Sequence, residues 1–308
     1  MNVLSLFDGM SCGQVALERA GIKVDRYFAS EIDKYAIDIT QKNYPKTTQL
    51  GDVRFFDWKM LPRIDLIIAG SPCQGFSNAG KQLNFDDPRS KLFFNFHNLL
   101  RYLNPTYFLL ENVKMAKKEW EQIITEHVGV EPIRINSKLV SAQNRDRFYW
   151  TNIPGVKQPD DKNIKLIDVL DLDLSDCPIG VRVREKAKCV RVGGRNSPFG
   201  SKQEWDSPFQ IISKKGKLKP RTEKSGCLTG GAHSGGNHSD MDILHTPFAT
   251  RRYTTTECER LQTLPDNYTN GVSNSQRYKM LGNGWTVDVI THIFNQLPEW
   301  QKEGGKKN

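Results

Sequence analysis

The first half of the chain alternates two kinds of apolar pattern, and this alternation constrains its fold more than any other feature. Short continuous runs, "VLSLF", "RYFAS", "IDLIIAG" and "YFLLENV", are separated by stretches of helical period, "GQVALERAG", "EIDKYAIDITQKNY" and "LFFNFHNLLRYL". Runs apolar at every position belong to strands buried on both faces, and a helical segment between successive strands makes them parallel. The expectation is an α/β fold, a mostly parallel sheet with helices on both faces. Ligands in such sheets bind beyond the carboxyl ends of the strands. Gly9, Glu31, Asp52, Cys73 and Glu111 all fall at or just past such an end.

Near Gln158 the pattern breaks. From there to about Leu244 the chain is rich in Gly, Ser, Pro, Lys and Arg, with short strand-like pieces such as "FQIIS", which predicts a smaller, irregular, β-leaning domain. Order returns at "TTTECERLQTLP", where Thr254 to Thr256 can cap a helix entering at Glu257. A last helix, "TVDVITHIFNQL", follows the turn "GNG" and gathers Val287, Ile290, Ile293, Phe294 and Leu297 on one face. The expected division is a catalytic and cofactor domain over 1–157, a recognition domain over 158–244, a return to the first domain over 245–300, and a frayed tail over 301–308.

Composition narrows the function classes. The 308 residues, 37% hydrophobic, suffice for a full core. No apolar run approaches the roughly 18 residues that cross a bilayer, and no leader-like segment precedes Asp8, so a soluble cytoplasmic protein is expected. A formal net charge of +9 suits a polyanionic partner. The six cysteines are scattered without CxxC spacing, so neither a zinc site nor a disulfide framework is expected.

"FDGMSCG" follows the first strand and opens a helix, where a glycine-bearing turn lets a ligand approach backbone amides; a plain tight turn would look the same. Glu31 and Asp52 stand where acids bind ribose hydroxyls and an adenine amine, or where they cap helices. Cys73, in "GSPCQGFS", is either a small core residue or a nucleophile. Pro72 stiffens its approach, Gly75 permits a sharp turn, and the polar stretch after it suits a lid. A free thiol is only about 3% thiolate at pH 7, so a working nucleophile needs a local device that favours the anion. Glu111 would be costly to bury without a task or partner, and a carboxyl there can protonate a ring nitrogen while a thiolate adds to the ring. Arg145 and Arg147, two apart in "AQNRDRFYW", lie on one side of a predicted strand, as phosphate or carboxylate binders or a solvated pair. The basic run from Lys214 to Arg221 can track a phosphate backbone or simply be solvated.

Taken in order, these segments resemble the motifs of the cytosine-C5 DNA methyltransferases. "FDGMSCG" is similar to the first cofactor motif, Glu31 to the second, "GDVR" to the third, "GSPCQGFS" to the catalytic fourth, "ENV" to the sixth and "QNRDR" to the eighth; "RLQTLP" and "GNGW" resemble the ninth and tenth. The opening and closing motifs are also similar to those of the animal de novo enzymes. In the variable region Cys227 replaces a threonine common in bacterial members. The short chain looks bacterial or phage-borne.

The resemblance implies S-adenosyl-L-methionine as cofactor and a cytosine flipped out of duplex DNA as substrate. It implies catalytic roles for Cys73, Glu111 and Arg145, with Arg145 helping to hold Glu111 against the N3 edge of the cytosine. It assigns Phe7, Asp8, Gly9, Met10, Cys12, Glu31, Ile32, Asp52, Val53, Pro72, Asn283, Gly284 and Trp285 to the cofactor, and Gln74, Ser77, Arg89, Arg147 and Arg221 to DNA or the lid. A monomer is expected, with a cognate restriction endonuclease as a conceivable partner. Two alternatives stay open: a transfer-RNA methyltransferase of the same family, and a non-catalytic DNA-binding relative.

Overall fold

The computed structural model describes residues 1–70, 92–113, 118–171 and 250–298, together with short strands within 181–245. The chain divides into two compact units. The first comprises Met1–Ile135, Asp146–Gln158 and Val289–Asn308; the second comprises Asn136–Arg145 and Pro159–Asp288.

The first unit is built on a seven-stranded sheet of order β3-β2-β1-β4-β5-β7-β6. Its strands are β1 (Asn2–Leu6), β2 (Arg26–Ser30), β3 (Thr48–Gln49), β4 (Leu66–Gly70), β5 (Tyr107–Val113), β6 (Ile133–Asn136) and β7 (Asp146–Thr151). β3 through β5 pair in parallel and β7 runs antiparallel to β5, so the sheet is mixed and mostly parallel, as the sequence pattern predicts. Helices α1 (Cys12–Arg19), α2 (Lys34–Asn43), α3 (Leu92–Leu103) and α4 (Lys118–Val128) belong to this unit. The central strands are apolar throughout because both of their faces are covered; Val3, Leu4, Leu6 and Leu66 to Ala69 are fully buried. On one face Leu4, Leu6, Ile67, Ala69 and Leu110 pack with Phe93 and Phe96 of α3 and Trp120 and Ile124 of α4. The Trp150 indole donates to the Thr125 hydroxyl at 2.9 Å, which satisfies the ring nitrogen that its burial takes from water.

In the second unit, every described element between 181 and 252 is a strand. β8 (Val181–Val183) pairs antiparallel with β10 (Phe209–Ile211), β9 (Lys188–Cys189) pairs in parallel with β11 (Ser225–Gly226), and β12 (Ile243–His245) pairs antiparallel with β13 (Thr250–Arg252). Helix α5 (Thr255–Leu261) starts where the threonine run predicts. The Thr254 hydroxyl accepts from the Glu257 amide at 3.1 Å, and the Glu257 carboxylate returns to the Thr254 amide at 2.7 Å, a reciprocal cap that satisfies two helix-end donors. α6 (Asn274–Asn283) has no counterpart in the sequence reading, because "NSQRYKMLGN" carries too few apolar residues to show a helical stripe. α7 (Val287–Phe294) follows, its residues from Val289 on belonging to the first unit, with Val287, Ile290, Ile293, Phe294 and Leu297 all buried. Among the described residues no helix is long and apolar enough to cross a membrane.

Candidate active site

The carboxyl ends of β1, β2, β3, β4 and β5 form one edge of the first unit, and most of the described candidate residues sit there. After β1 the chain makes a tight turn in which Phe7, Gly9 and Ser11 all take positive φ values of 58°, 60° and 60°. Two of these are not glycine, so the turn is held in a backbone region that L-residues adopt at a cost. A Cβ built on Gly9 would meet nothing within 4 Å, so the backbone there borders open space. The Gly9 amide donates to Glu31 Oε2 at 2.7 Å, tying this turn to the end of β2.

The other oxygen of Glu31 accepts from its own following amides, Ile32 at 2.7 Å and Asp33 at 2.9 Å. The cap of α2 is Asp33, whose carboxylate accepts from the Tyr35 amide at 3.0 Å, so capping does not explain Glu31. Ile32 is 72% exposed, a large apolar side chain presented beside the acid. Past β3, Asp52 forms a forked ion pair with Arg54, 2.5 Å at its shortest, which holds the carboxyl below its ordinary range. The Ser30 hydroxyl donates to the Gly51 carbonyl at 2.7 Å and joins the ends of β2 and β3.

Asp8 faces inward from the turn. Its carboxylate accepts from the Tyr27 hydroxyl at 2.8 Å, from the Ser11 hydroxyl, and from Ser5. Burial pushes its pKa up to about 6, and the nearby Glu31 charge adds to that; the three hydroxyls act in the opposite direction. Met10 and Cys12 are buried, Cys12 as the first residue of α1.

Glu111 lies in β5 directly across from Gly70, the last residue of β4. The sequence reaches Cys73 three residues later. Arg147 of β7 sets its Nε 2.9 Å from Glu111 Oε1, an ion pair with both side chains largely buried. Sequence reasoning assigned Arg145 the role of assisting Glu111 and put both arginines on one face of a strand. The strand begins at Asp146, and within the first unit it is Arg147 that holds the carboxylate.

Arg145 belongs to the second unit. Its buried guanidinium donates to the Gly282 carbonyl at 3.3 Å and the Gly284 carbonyl at 2.9 Å, on either side of Asn283. This joins it to the turn that carries Asn283, Gly284 and Trp285. The Ser137 amide and hydroxyl donate to the Arg145 carbonyl at 2.9 and 3.1 Å. Behind the turn lies a polar group that sequence reading missed. The fully buried Gln262 amide donates to the Leu281 carbonyl at 2.6 Å and accepts from the Thr286 hydroxyl at 2.9 Å and Gln143 Nε2 at 3.2 Å. The signal was present in "QNRDR" and "RLQT", where uncharged polar side chains sit among residues with core character.

Pro72, Cys73, Gln74, Ser77, Arg89, Arg221 and Cys227 lie outside the described residues. Phe7 and Val53 flank the first-unit edge and pack against its core. The open space at Gly9, the Glu31 carboxylate and the exposed Ile32 together offer a close backbone approach, an acceptor for hydroxyls and an apolar surface, which is the chemistry a nucleoside requires.

Comparison with known proteins shows which family the chain resembles. The profile of the family described as C-5 cytosine-specific DNA methylase matches residues 1–166 and 182–299. The type II methyltransferase M.NlaX of Neisseria lactamica is 30% identical over 96% of this chain and 95% of its own length. M.HhaI of Haemophilus parahaemolyticus, also a type II methyltransferase, is 26% identical over 95% and 93%. Among solved structures, the Entamoeba histolytica methyltransferase EhMeth aligns over 100% of this chain and 99% of its own with a TM-score of 0.66 at 19% identity. The Dnmt2 methyltransferase of S. pombe aligns over 96% and 98%, with a TM-score of 0.63 at 20% identity.

Proposed function

Since the chain belongs to the C-5 cytosine-specific DNA methylase family, we propose that it moves a methyl group from S-adenosyl-L-methionine to carbon C5 of a cytosine flipped out of duplex DNA, through a transient bond between Cys73 and carbon C6. The observation that carries this reading is the Glu111 carboxylate, held by Arg147 at the strand end beside Gly70, from which the sequence runs to Cys73. An acid fixed there serves a nucleophile that adds to a pyrimidine ring.

In this reading the Cys73 thiolate adds to C6 and pushes electron density into the ring toward N3 and C5. Glu111 faces the N3 edge and stabilises the charge that the addition creates, and Arg147 keeps it oriented. Arg145 fixes the turn carrying Asn283 and Trp285. The cofactor, when bound, supplies an electrophilic methyl group to C5. A base then takes the C5 proton, and elimination breaks the C6–sulfur bond and restores the thiolate. Gly9, Glu31 and Ile32 would hold the nucleoside portion of the cofactor, and the open space at Gly9 fits that assignment. The setting that follows is the cytoplasm of a bacterium or a phage-infected cell, with duplex DNA as the partner.

Transfer of a tritiated methyl group from the donor onto duplex DNA and onto transfer RNA, followed by bisulfite sequencing of the DNA, tests this. Label in DNA, mapped to cytosine within a short repeated sequence, is the expected result. Label in transfer RNA alone would replace the substrate, and no label in either would reject the activity.

A further inference from the structure

Beneath the proposed cofactor turn, three hydroxyls converge on one carboxyl that the chemistry of methyl transfer does not use. Ser5 comes from β1, Tyr27 from β2, and Ser11 from the residue that caps α1, and all three donate to Asp8. Ser5, Ser11 and Tyr27 are buried. The same residues close a small ring of backbone bonds: the Asp8 amide donates to the Ser30 carbonyl at 3.2 Å, and the Ser11 amide to the Asp8 carbonyl at 3.2 Å. The Ser11 hydroxyl also accepts from Gln14 Nε2 at 3.1 Å, and that amide reaches Thr47 at 2.8 Å.

Three O–H donors aimed at one carboxyl favour its ionised form, in opposition to the burial that favours the neutral one. A protonated carboxyl must donate one bond itself, so one hydroxyl has to turn round to accept. Ser11 cannot do so without loss, because its oxygen already accepts from Gln14 and its backbone is held left-handed at φ 60°. The turn has little to spare, with three positive φ values in five residues. Its central amide, Gly9, is bound to Glu31, the other acid that faces Asp8.

We propose that Asp8 is a proton-sensitive positioning residue: as the carboxylate it gathers the three hydroxyls in the arrangement that receives the cofactor, and on protonation one of those bonds must turn round and the cofactor binds more weakly. The inference rests on the cofactor reading above. Burial places the titration within an accessible range, near pH 6. The sign follows from the ligand's charge as well. S-adenosylmethionine carries a sulfonium cation and favours the ionised carboxyl, whereas S-adenosylhomocysteine lacks that charge. The ionised form binds best, so affinity is full above about pH 7 and is lost as pH falls through about 6.

The test is calorimetric titration of the full chain with S-adenosylmethionine and with S-adenosylhomocysteine between pH 5 and 8, for the wild type, Asp8→Asn and Tyr27→Phe. The Kd of the wild type for S-adenosylmethionine should be flat above pH 7 and rise by up to about ten-fold per pH unit below 6, the limit for uptake of one proton. S-adenosylhomocysteine should show a shallower rise. Asp8→Asn should lose the dependence and bind at every pH as weakly as the wild type does at pH 5. Tyr27→Phe, lacking one donor to the anion, should move the midpoint upward. Equal pH dependence in the wild type and Asp8→Asn overturns the proposal. Absence of binding by either ligand at every pH rejects the cofactor reading itself and the proposal with it. A measurement without ligand separates the two: the Gly9 and Ser11 amide resonances of the free protein should shift together with a midpoint near 6 in the wild type and stay still in Asp8→Asn. Amides indifferent to pH in the wild type would also overturn the proposal.

Discussion

Replacing Arg277 by methionine probes the most deeply buried side-chain ion pair among the described residues of the second unit. Glu259, in α5, is fully buried. Its carboxylate accepts from the Asn267 amide at 2.7 Å, the Thr269 amide at 2.8 Å, the Thr269 hydroxyl and Arg277 Nη2 at 2.9 Å. Arg277, from α6, also donates through Nε to the Thr269 hydroxyl at 2.9 Å. The pair thus pins the loop between the two helices to both of them. Methionine keeps most of the side-chain volume but leaves a buried carboxylate with neutral donors only. Breaking a buried pair from one side costs about 3–5 kcal/mol, and three surviving donors place this case at the lower end, near 3 kcal/mol. Urea unfolding followed by tryptophan fluorescence would read that loss as a lowered midpoint at unchanged slope. Because the penalty belongs to the stranded charge, Glu259→Gln combined with Arg277→Met should recover more than half of it. A loss under about 1 kcal/mol in the single variant, or a double variant no more stable than the single, would refute the reasoning.

Other variants test separate links. Thr254→Ala removes the hydroxyl that accepts from Glu257 and should cost about 1 kcal/mol, read by thermal unfolding. Gly9→Ala has room for its methyl but must keep φ at 60°, so about 1 kcal/mol of strain should appear as lower stability or weaker cofactor binding, checked by unfolding and calorimetry. Glu111→Gln should leave folding intact by circular dichroism yet slow methyl transfer at least 100-fold in a single-turnover assay. The pKa of Asp8 is raised in the fold from 3.8 to about 6, so the stability tied to its protonated form is present below pH 4 and lost as pH rises through 6. At pH 8 that difference is at most about 3 kcal/mol, at about 1.4 per unit, so the wild type should lose more stability than Asp8→Asn as the pH rises from 5 to 8 in thermal melts.

The sheet was legible because burial on both faces leaves strands such as Leu66–Gly70 and Tyr107–Val113 apolar at nearly every position, and a run of that kind has few other ways to fold. α5 was legible for a different reason. Its threonine cap and Glu257 form a local hydrogen-bonding device that needs no tertiary context. α6 was not, since its burial rests on Arg277, Met280 and Leu281 with a polar sequence between, and its stability comes from the Glu259 pair made in three dimensions. The positions of Gly9, Glu31 and Glu111 at one sheet edge followed from strand ends alone. That Arg147 meets Glu111 did not follow. That choice depends on where β7 begins and on its antiparallel register, which puts Arg147 opposite Val113 and Tyr149 opposite Glu111. The inward turn of Asp8 was likewise hidden, because its hydroxyl partners lie on β1, β2 and the cap of α1, and sequence spacing does not reveal that they meet.

The most direct test of the proposed chemistry is to incubate the full chain with S-adenosylmethionine and a duplex carrying 5-fluorocytosine at the methylated position. Fluorine cannot leave as a cation, so elimination should stall and a complex stable to denaturant, joined through Cys73 by peptide mass spectrometry, should accumulate. Absence of that complex while duplex and donor both bind, or its persistence in Cys73→Ala, would contradict the account.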